Sequence, residues 1–238
     1  MINSVFVSSI VRTNDSNLEK IFFTQGRIYT FLNPVSYLDA LNNKGYFSQF
    51  DGIFADGSIL VGAIRLLYRR KVKRRSFDMT SIAPLLFEFA EKNSKSIYIV
   101  ASEQEKVEKT VKVFRERYPA IRIIGYRNGY FKSEEEKDEE SRYISKLNPD
   151  FLIVGMGILT QEKFLLKVKK AGFQGIGFTC GGFIHQTARD QIDYYPSWID
   201  KYNLRFLYRM YKEPHTRKRY IKAGFLFPWK FVWERFFG

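Results

Sequence analysis

The chain contains very few residues of the kinds that bind metals or form disulfides. Its 238 residues include one cysteine, Cys180, and two histidines. A single cysteine excludes an intramolecular disulfide and favours a reducing compartment. Neither histidine belongs to a set with the spacing of metal ligands, and no paired-carboxylate motif is present. The sequence therefore predicts no bound metal and no cofactor.

Long apolar runs and several common catalytic motifs are also missing. No stretch reaches the roughly 18 apolar residues that a membrane-spanning helix needs. Residues 1–10 lack the charged start and the long apolar run of a secretory signal. Neither a Walker sequence nor a G-x-S-x-G elbow is present. With 45% hydrophobic residues, the chain is expected to fold and to remain in the cytoplasm.

The positive charge of the chain is concentrated in two segments. The net charge is +14, and residues 201–238 hold ten Lys and Arg against two acidic residues. Residues 65–75 hold seven Lys and Arg and no acidic residue, so the rest of the chain is close to neutral. Focused positive charge attracts the phosphates of nucleotides, nucleic acids or anionic lipids. For either segment alone, the alternative to phosphate binding is a solvated loop or helix face.

The C-terminal segment also carries aromatic residues at helical spacing. Trp229, Trp233 and Phe236 follow the i, i+4, i+7 pattern, so a helix that begins at Pro228 would place the three rings on one face. Such a helix, with Lys and Arg nearby, suits a membrane interface better than a membrane span. The alternative is that this face packs on the core, and exposure of the rings in the folded monomer distinguishes the two.

Apolar runs that alternate with amphipathic segments predict an α/β fold. Continuous apolar runs at residues 96–101 and 149–155 are typical of strands buried on both faces of a parallel sheet. Further strands are predicted at residues 28–32, 121–125 and 174–179, and helices at 36–42, 59–68, 78–92, 103–118, 134–147 and 161–171. The pattern predicts a Rossmann-like parallel sheet flanked by helices. We expect this core over residues 1–200 and a basic, aromatic helical appendage over residues 201–238.

Ligands of such sheets bind beyond the carboxyl ends of the strands, which directs attention to the loops there. In the loop after residue 155, Gly157 allows backbone N–H groups to approach a phosphate at a helix start. Gln161 has the donors and the acceptor needed to recognise a uracil or sugar edge. Gly181 and Gly182 offer a second close approach. A tight turn is the alternative for each glycine pair.

Two aspartate-glycine pairs compete for the role of general base. Asp56 and Asp51 each precede a glycine, and either carboxylate could deprotonate a hydroxyl group or cap a helix. Composition alone does not separate them. His185 is a further candidate, as an acid/base or a phosphate contact, with a structural role as its alternative.

Four segments between about residues 33 and 220 resemble the TagA/WecG/CpsF family of bacterial glycosyltransferases. Residues 118–131 are similar to its YP…G…GYF stretch, and residues 149–162 are similar to its PD…VGLGxPKQE motif. The third segment resembles the family's glycine-rich GVGxxFD turn through Gly177, Gly181, Gly182 and Phe183. The fourth resembles its AP.W…EWLYR…EP…KRY signature, through Pro196, Trp198, Leu207, Tyr208, Arg209, Glu213, Pro214, Lys218, Arg219 and Tyr220.

The resemblance implies an inverting, metal-independent transfer of a sugar from a UDP-sugar to a polyprenyl-diphosphate-linked sugar acceptor. This reaction would serve the synthesis of a cell-surface polysaccharide, such as O-antigen, capsule, exopolysaccharide or teichoic acid. The implied partners are the UDP-sugar, the lipid-linked acceptor and an anionic membrane surface, without nucleic acid. The protein is expected to be peripheral, at the cytoplasmic face of the inner membrane.

The resemblance also implies roles for individual residues. The family's aspartate-glycine dipeptide matches Asp56 better than Asp51, because an apolar run follows it and Asp78 lies at the family's G-x-D spacing. Asn33 resembles the family's active-site asparagine, so Asn33 and Asp56 are the catalytic candidates. The residues expected to hold the UDP-sugar and the diphosphates are Gly157, Gln161, Glu162, Gly181, Gly182, Arg209, Lys218 and Arg219.

The sequence departs from the family pattern at several positions. Leu159 replaces a proline, Ile184 an aspartate, Tyr194 an arginine, Arg205-Phe206 a Glu-Trp pair and Ser76 a glycine. These changes spare Asp56 and Gln161, so we expect activity to survive and the identity of the transferred sugar to remain open. Two alternatives stand beside the enzyme. One is a non-enzymatic binder of anionic lipid or nucleic acid with a continuous basic stripe, and the other binds UDP-sugar without turnover.

Overall fold

The computed structural model describes residues 4–190, 199 and 204–237, and within them six strands form one sheet. The strands are β1 (Ile28–Leu32), β2 (Gly52–Ala55), β3 (Ser96–Ala101), β4 (Arg122–Arg127), β5 (Phe151–Gly155) and β6 (Ile176–Thr179). Their order in the sheet is β2-β1-β6-β5-β3-β4, and every neighbouring pair is parallel. The Rossmann-like parallel sheet predicted from the sequence is confirmed.

Helices connect the strands and cover both faces of the sheet. The described helices are α1 (Val5–Asp15), α2 (Leu18–Phe23), α3 (Pro34–Asn42), α4 (Lys44–Phe47), α5 (Ser58–Tyr68), α6 (Ile82–Lys92), α7 (Gln104–Arg117), α8 (Glu134–Leu147), α9 (Thr160–Lys170), α10 (Phe183–Asp190), α11 (Arg205–Lys212) and α12 (Arg217–Phe237). A short 3-10 turn, Pro214–Thr216, separates the last two. The elements predicted from the sequence did not include α1, α2, α4, α10 or β2.

Strand β5 shows why the central strands have continuous apolar sequences. Phe151 and Ile153 belong to the apolar cluster on one face of the sheet. Leu152 and Val154 belong to the cluster on the other face. All four side chains are buried, because successive residues of a strand point to opposite faces and both faces here are covered by helices.

A further apolar cluster joins α12 to the N-terminal half of the chain. The rings of Phe227 and Phe231 lie 5.7 and 5.2 Å from the ring of Tyr37 in α3. Phe231 also lies 5.6 Å from the ring of Tyr68 in α5. The Tyr37 hydroxyl donates a short hydrogen bond to the buried carboxylate of Glu234. The last helix of the chain therefore completes a core that α1, α3 and α5 begin.

The predicted start of this helix at Pro228 is wrong, because α12 begins at Arg217 and contains Pro228 in its interior. Proline removes one helical hydrogen bond, which costs stability in an isolated helix. Here the helix continues on both sides because Phe227 and Phe231 are buried in the core. Among the described residues, no helix combines the length and the apolar character that crossing a membrane requires.

Candidate active site

Loops at the carboxyl ends of the strands surround a cavity of about 1110 Å³. Asn33 follows β1, Asp56 follows β2, Gly157 follows β5, and Gly182 follows β6, and all four line this cavity. Helices α11 and α12 close one side through residues that include Arg209. The strand-end rule of parallel sheets thus brings together residues that are far apart in the sequence.

Asn33 and Asp56 lie side by side because β1 and β2 are neighbours. The Asp56 N–H donates to the Leu32 carbonyl over 2.7 Å, which fixes the backbone of Asp56 beside the start of α3. Asn33 caps α3, and its Oδ1 accepts hydrogen bonds from the N–H groups of Val35 and Ser36 over 3.0 and 3.1 Å. The Oδ1 acceptor is thus used within α3, and the Nδ2 group is the part of the Asn33 amide that can donate to a ligand.

The surroundings of Asp56 make it a stronger base than an ordinary aspartate. Burial raises the pKa of Asp56 from 3.8 to about 6, and the nearby negative charge of Asp78 adds to this rise. The positive charges of Arg74, Arg205 and Arg209 oppose it. At neutral pH the carboxylate is therefore mostly ionised and has a pKa close to the working pH, which is the condition that favours a general base.

Asp51, the competing aspartate, lies at the opposite edge of the sheet, immediately before β2. Its carboxylate accepts hydrogen bonds from Arg27 over 2.7 Å, from the N–H of Ile28 over 2.9 Å and from Lys169 over 2.6 Å. Burial would raise the pKa of Asp51, but the Lys169 and Ile28 donors outweigh it and lower the pKa. These contacts hold strands and helix α9 together outside the cavity.

Gln161 connects the two glycine loops of the cavity. Its Oε1 accepts the N–H of Gly181 over 3.1 Å, and its Nε2 donates to Glu162 over 2.9 Å. Gly157 has a φ of +80°, a conformation that glycine adopts without steric cost. The Gly157 carbonyl accepts the N–H of Gln161 over 3.0 Å. The side chain of Gln161 lines the cavity and at the same time fixes the distance between these loops.

Glu162 does not line the cavity, because its side chain is fully buried beneath the loop. Its carboxylate accepts the Thr30 hydroxyl over 2.9 Å and the N–H of Leu159 over 2.6 Å, in addition to the Gln161 amide. Burial raises the pKa of Glu162 above its usual value. These contacts favour a role in shaping the loop, and the predicted direct contact of Glu162 with the nucleotide sugar stays a prediction.

Leu159, where the family motif has proline, adopts a conformation that proline cannot. Its φ is +70°, in the left-handed region, whereas the proline ring fixes φ near −65°. Its N–H also donates the hydrogen bond to Glu162, and proline has no N–H. The departure from the motif therefore accompanies a loop that is built differently at this position.

Arg209 lies against the Gly181-Gly182 loop. A Cβ atom at Gly182 would lie 3.0 Å from the Arg209 Nη2 atom, so the missing side chain makes room for the guanidinium. The Arg209 Nε donates to the buried carboxylate of Glu213 over 3.1 Å. Tyr220 lines the same part of the cavity, and burial raises its pKa, which the charge of Asp56 raises further and that of Arg209 lowers. Helices α11 and α12 thus bring Arg209 and Tyr220 close to Asp56.

Of the basic residues predicted from the C-terminal signature, Arg219 lines the cavity and Lys218 does not. Arg219 lines the cavity and pairs with Asp39 over 3.4 Å. Lys218 is exposed and lies outside the cavity, because the helix turns its side chain away from the side that bears Arg219 and Tyr220. Tyr194, Pro196 and Trp198 lie outside the described residues.

Two residues whose charges act on Asp56, Arg74 and Arg205, were given no role from the sequence. Arg205 donates to Asp78 over 2.8 Å, and Arg74 donates to the Thr80 hydroxyl over 3.2 Å. Burial would raise the pKa of Asp78, but Arg205 and Thr80 lower it below its usual value. Arg74 was visible only as one of seven cations in the basic segment, and Arg205 only as a departure from the family pattern. Their grouping depends on the approach of α11 to the 76–81 loop.

His185 is the remaining candidate from the sequence, which predicted no metal ligands. His185 lines the cavity at the start of α10. In the described part of the chain, no three His, Cys, Asp or Glu side chains are grouped so that they could hold a metal ion.

Comparisons with known proteins find a matching family and several similar sequences. The sequence matches the model of the glycosyl transferase WecG/TagA/CpsF family over residues 5–238. It is 37% identical over 194 residues to a UDP-Gal:alpha-D-GlcNAc-diphosphoundecaprenol beta-1,4-galactosyltransferase of Shigella boydii, covering 82% of this chain and 81% of the relative. It is 26% identical over 225 residues to an N-acetylglucosaminyldiphosphoundecaprenol N-acetyl-beta-D-mannosaminyltransferase of Bacillus subtilis, covering 92% of this chain and 85% of the relative.

Proposed function

Because the chain belongs to the WecG/TagA/CpsF family of glycosyltransferases, we propose that it transfers a sugar from a UDP-sugar to N-acetylglucosaminyl-diphosphoundecaprenol, with inversion, in the synthesis of a cell-surface polysaccharide. The observation that carries the proposal is the cavity that contains Asn33, Asp56 and Gln161 together. A nucleic-acid binder would instead need a continuous basic stripe with stacking aromatic residues. The cavity therefore favours the enzyme over the non-enzymatic alternative.

Galactose is the first donor sugar to test. The Shigella boydii relative, at 37% identity, is named for transfer from UDP-Gal. The relatives named for transfer of N-acetylmannosamine are 24–26% identical. Each relative is named for a beta linkage. Formation of a β-glycoside from an α-linked UDP-galactose inverts the anomeric carbon, which supports a single direct displacement.

In this displacement Asp56 acts as the general base. Its carboxylate takes the proton of an acceptor sugar hydroxyl, and the hydroxyl oxygen attacks the anomeric carbon from the face opposite the UDP group. The new glycosidic bond forms as the bond to the UDP oxygen breaks. The pKa of about 6 gives Asp56 a higher proton affinity than an ordinary aspartate while leaving it mostly ionised at neutral pH. Asn33, beside it, can orient the acceptor through its Nδ2 donor.

Cationic side chains and backbone donors can stabilise the charge that develops on the leaving diphosphate. Arg74, Arg209 and Arg219 line the cavity, and a guanidinium group binds phosphate oxygens with two parallel hydrogen bonds. The start of α9 and the Gly181-Gly182 loop lie at the same edge of the sheet and can present N–H groups to phosphate. This charge arrangement supports the predicted metal-independent mechanism.

We further propose that the exposed face of α12 attaches the protein to the cytoplasmic surface of an anionic membrane. Trp229, Trp233 and Phe236 are 80%, 65% and 62% exposed. Aromatic rings on a basic helix insert at the membrane interface, and nearby Lys and Arg are attracted to anionic lipids. The Arg235 Nε donates to the Leu67 carbonyl over 3.3 Å, which places the start of the basic segment 65–75, at the end of α5, next to this helix. The two basic segments would thus contact one membrane surface.

A donor screen tests the proposed reaction. Purified protein is incubated with N-acetylglucosaminyl-diphosphoundecaprenol in detergent micelles and with each of several UDP-sugars, in the presence and absence of EDTA. We expect a β-linked disaccharide product from one UDP-hexose and the same rate with EDTA. A retained α configuration would contradict the single displacement. Loss of activity with EDTA, restored by Mg²⁺ or Mn²⁺, would contradict the metal-independent mechanism.

A further inference from the structure

One wall of the active-site cavity is apolar, although the proposed chemistry involves only polar groups. This wall comes from α11, from the first half of α12 and from the first turn of α5. Its members include Ile59, Leu207, Met210, Ile221, Phe227 and Pro228. Ile59, Leu207 and Ile221 are exposed, so the apolar wall reaches the protein surface. A sugar nucleotide is predominantly polar and does not account for an apolar wall that extends to the protein surface.

The apolar residues follow the polar ones along a single face of α12. Tyr220, Gly224 and Pro228 are spaced four residues apart and all line the cavity, with Phe227 between the last two. Tyr220 is close enough to Asp56 and Arg209 for their charges to influence its pKa. With a rise of about 1.5 Å per residue, this face extends about 12 Å away from Tyr220 towards Pro228. It therefore runs from the proposed catalytic centre to the exposed half of α12.

Gly224 leaves open space in the middle of this face. A Cβ atom at Gly224 would have no atom within 4 Å apart from its chain neighbours and the backbone of its own helix, and Gly224 lies inside α12. The wall therefore has a gap at Gly224.

We propose that this apolar strip, defined as Ile221, Gly224, Phe227 and Pro228 of α12 with Ile59 and Leu207, binds the first isoprene units of the acceptor lipid. The inference rests on the proposed function. The acceptor has a sugar, a diphosphate and a hydrocarbon chain in that order. The cavity offers Asp56 for the sugar at one end of this order and the strip for the hydrocarbon at the other.

The position of the strip also accounts for how an acceptor whose hydrocarbon chain lies in a membrane can reach the active site. The strip ends at Pro228, and the next residue, Trp229, belongs to the exposed aromatic face. The hydrocarbon would leave the strip where the protein meets the lipid. Only the end of the chain that bears the diphosphate would then need to leave the bilayer.

Filling the gap at Gly224 tests the strip. We compare the wild type with Gly224→Leu, using N-acetylglucosaminyl diphosphate esterified either to undecaprenol or to ethanol. The ratio of kcat/KM for the long acceptor to kcat/KM for the short one should fall about tenfold, the factor expected when about two methylene groups lose an apolar contact. Gly45→Leu is the matched control, because Gly45 also has open space in a helix but lies outside the cavity. Its ratio should equal that of the wild type.

A binding measurement separates the strip from the proposed reaction. In calorimetric titrations, farnesyl diphosphate should bind the wild type more tightly than inorganic diphosphate does, and Gly224→Leu should lose this difference while Gly45→Leu keeps it. Equal binding of the two ligands by the wild type, or an unchanged acceptor ratio in Gly224→Leu, would overturn the strip even if sugar transfer is observed. Absence of transfer with every donor would instead overturn the proposed function, and the titrations would still decide whether the strip binds hydrocarbon.

Discussion

Replacing Asp56 by asparagine should abolish activity and at the same time make the protein more stable at neutral pH. The carboxylate is held in surroundings that favour its protonated form, because burial and the charge of Asp78 raise its pKa from 3.8 to about 6. This difference corresponds to about 3 kcal/mol of unfavourable free energy when the group is ionised in the folded protein. Asparagine has nearly the same shape and never carries the charge.

The sign of the effect follows from proton linkage. A group whose pKa is higher in the folded state stabilises the fold while it is protonated, below the pKa of the unfolded chain. That stability is lost as the pH rises from about 4 to about 6. Asp56→Asn should therefore have about wild-type stability at pH 4 and gain up to about 3 kcal/mol at pH 7.5, or about 6–12 °C in Tm for a chain of this length. The same variant should lose about 10²–10⁴-fold in kcat.

Urea unfolding at pH 4 and pH 7.5, together with initial rates of sugar transfer, measures both effects. Asp51→Asn is the matched control, because the pKa of Asp51 is lowered by Lys169 and the N–H of Ile28. Loss of the Asp51 carboxylate should destabilise the fold at pH 7.5. This destabilisation should become smaller as the pH falls through the lowered pKa of Asp51, and turnover should stay near that of the wild type. The reasoning about Asp56 is refuted if Asp56→Asn keeps wild-type turnover or is less stable than the wild type at pH 7.5.

Three other outcomes can be measured. The pH profile of kcat/KM should fall on the acid side with a midpoint near 6, where Asp56 becomes protonated, and a midpoint near 4 would contradict a buried base. Replacing Trp229 and Trp233 together by serine should reduce flotation with anionic liposomes and leave Tm unchanged, because both rings are exposed; unchanged flotation would contradict membrane attachment through this face. Leu159→Pro should lower Tm and activity, since proline can supply neither the φ of +70° nor the N–H bonded to Glu162, whereas Leu159→Ala, which keeps that N–H, should change both much less.

The sheet was largely predictable from local patterns, whereas Asn33 and the choice of Asp56 over Asp51 came from the family resemblance. A run such as residues 151–155 is apolar at every position, and only a strand covered on both faces needs that composition. Once the strands are placed, the geometry of a parallel sheet brings Asn33, Asp56 and Gln161 to one edge. Strand β2 was harder to predict, since it has only four residues and begins with glycine.

The C-terminal helix shows where local patterns are insufficient. The spacing of Trp229, Trp233 and Phe236 identified a face that is indeed exposed. The predicted start of the helix at Pro228 was wrong, because the burial of Phe227 and Phe231 against Tyr37 outweighs the local effect of Pro228. Removing residues 226–238 would take both buried rings away, at a typical cost of about 3–5 kcal/mol for each. Point substitutions on the exposed face are therefore the better test of membrane attachment.

The contact between Tyr37 and Glu234 also determines when this protein can finish folding during its synthesis. The two residues are 197 positions apart in the chain, and the cluster between α1, α3 and α5 is incomplete without Phe227 and Phe231. A nascent chain that has been translated only as far as α11 cannot close this core, whatever time it is given. Contacts this distant in sequence also slow folding, because a long loop must be closed before they form. Helix α12 must therefore be synthesised before the N-terminal helices find their final packing, and until then their apolar side chains depend on chaperones or on transient collapse for protection from aggregation.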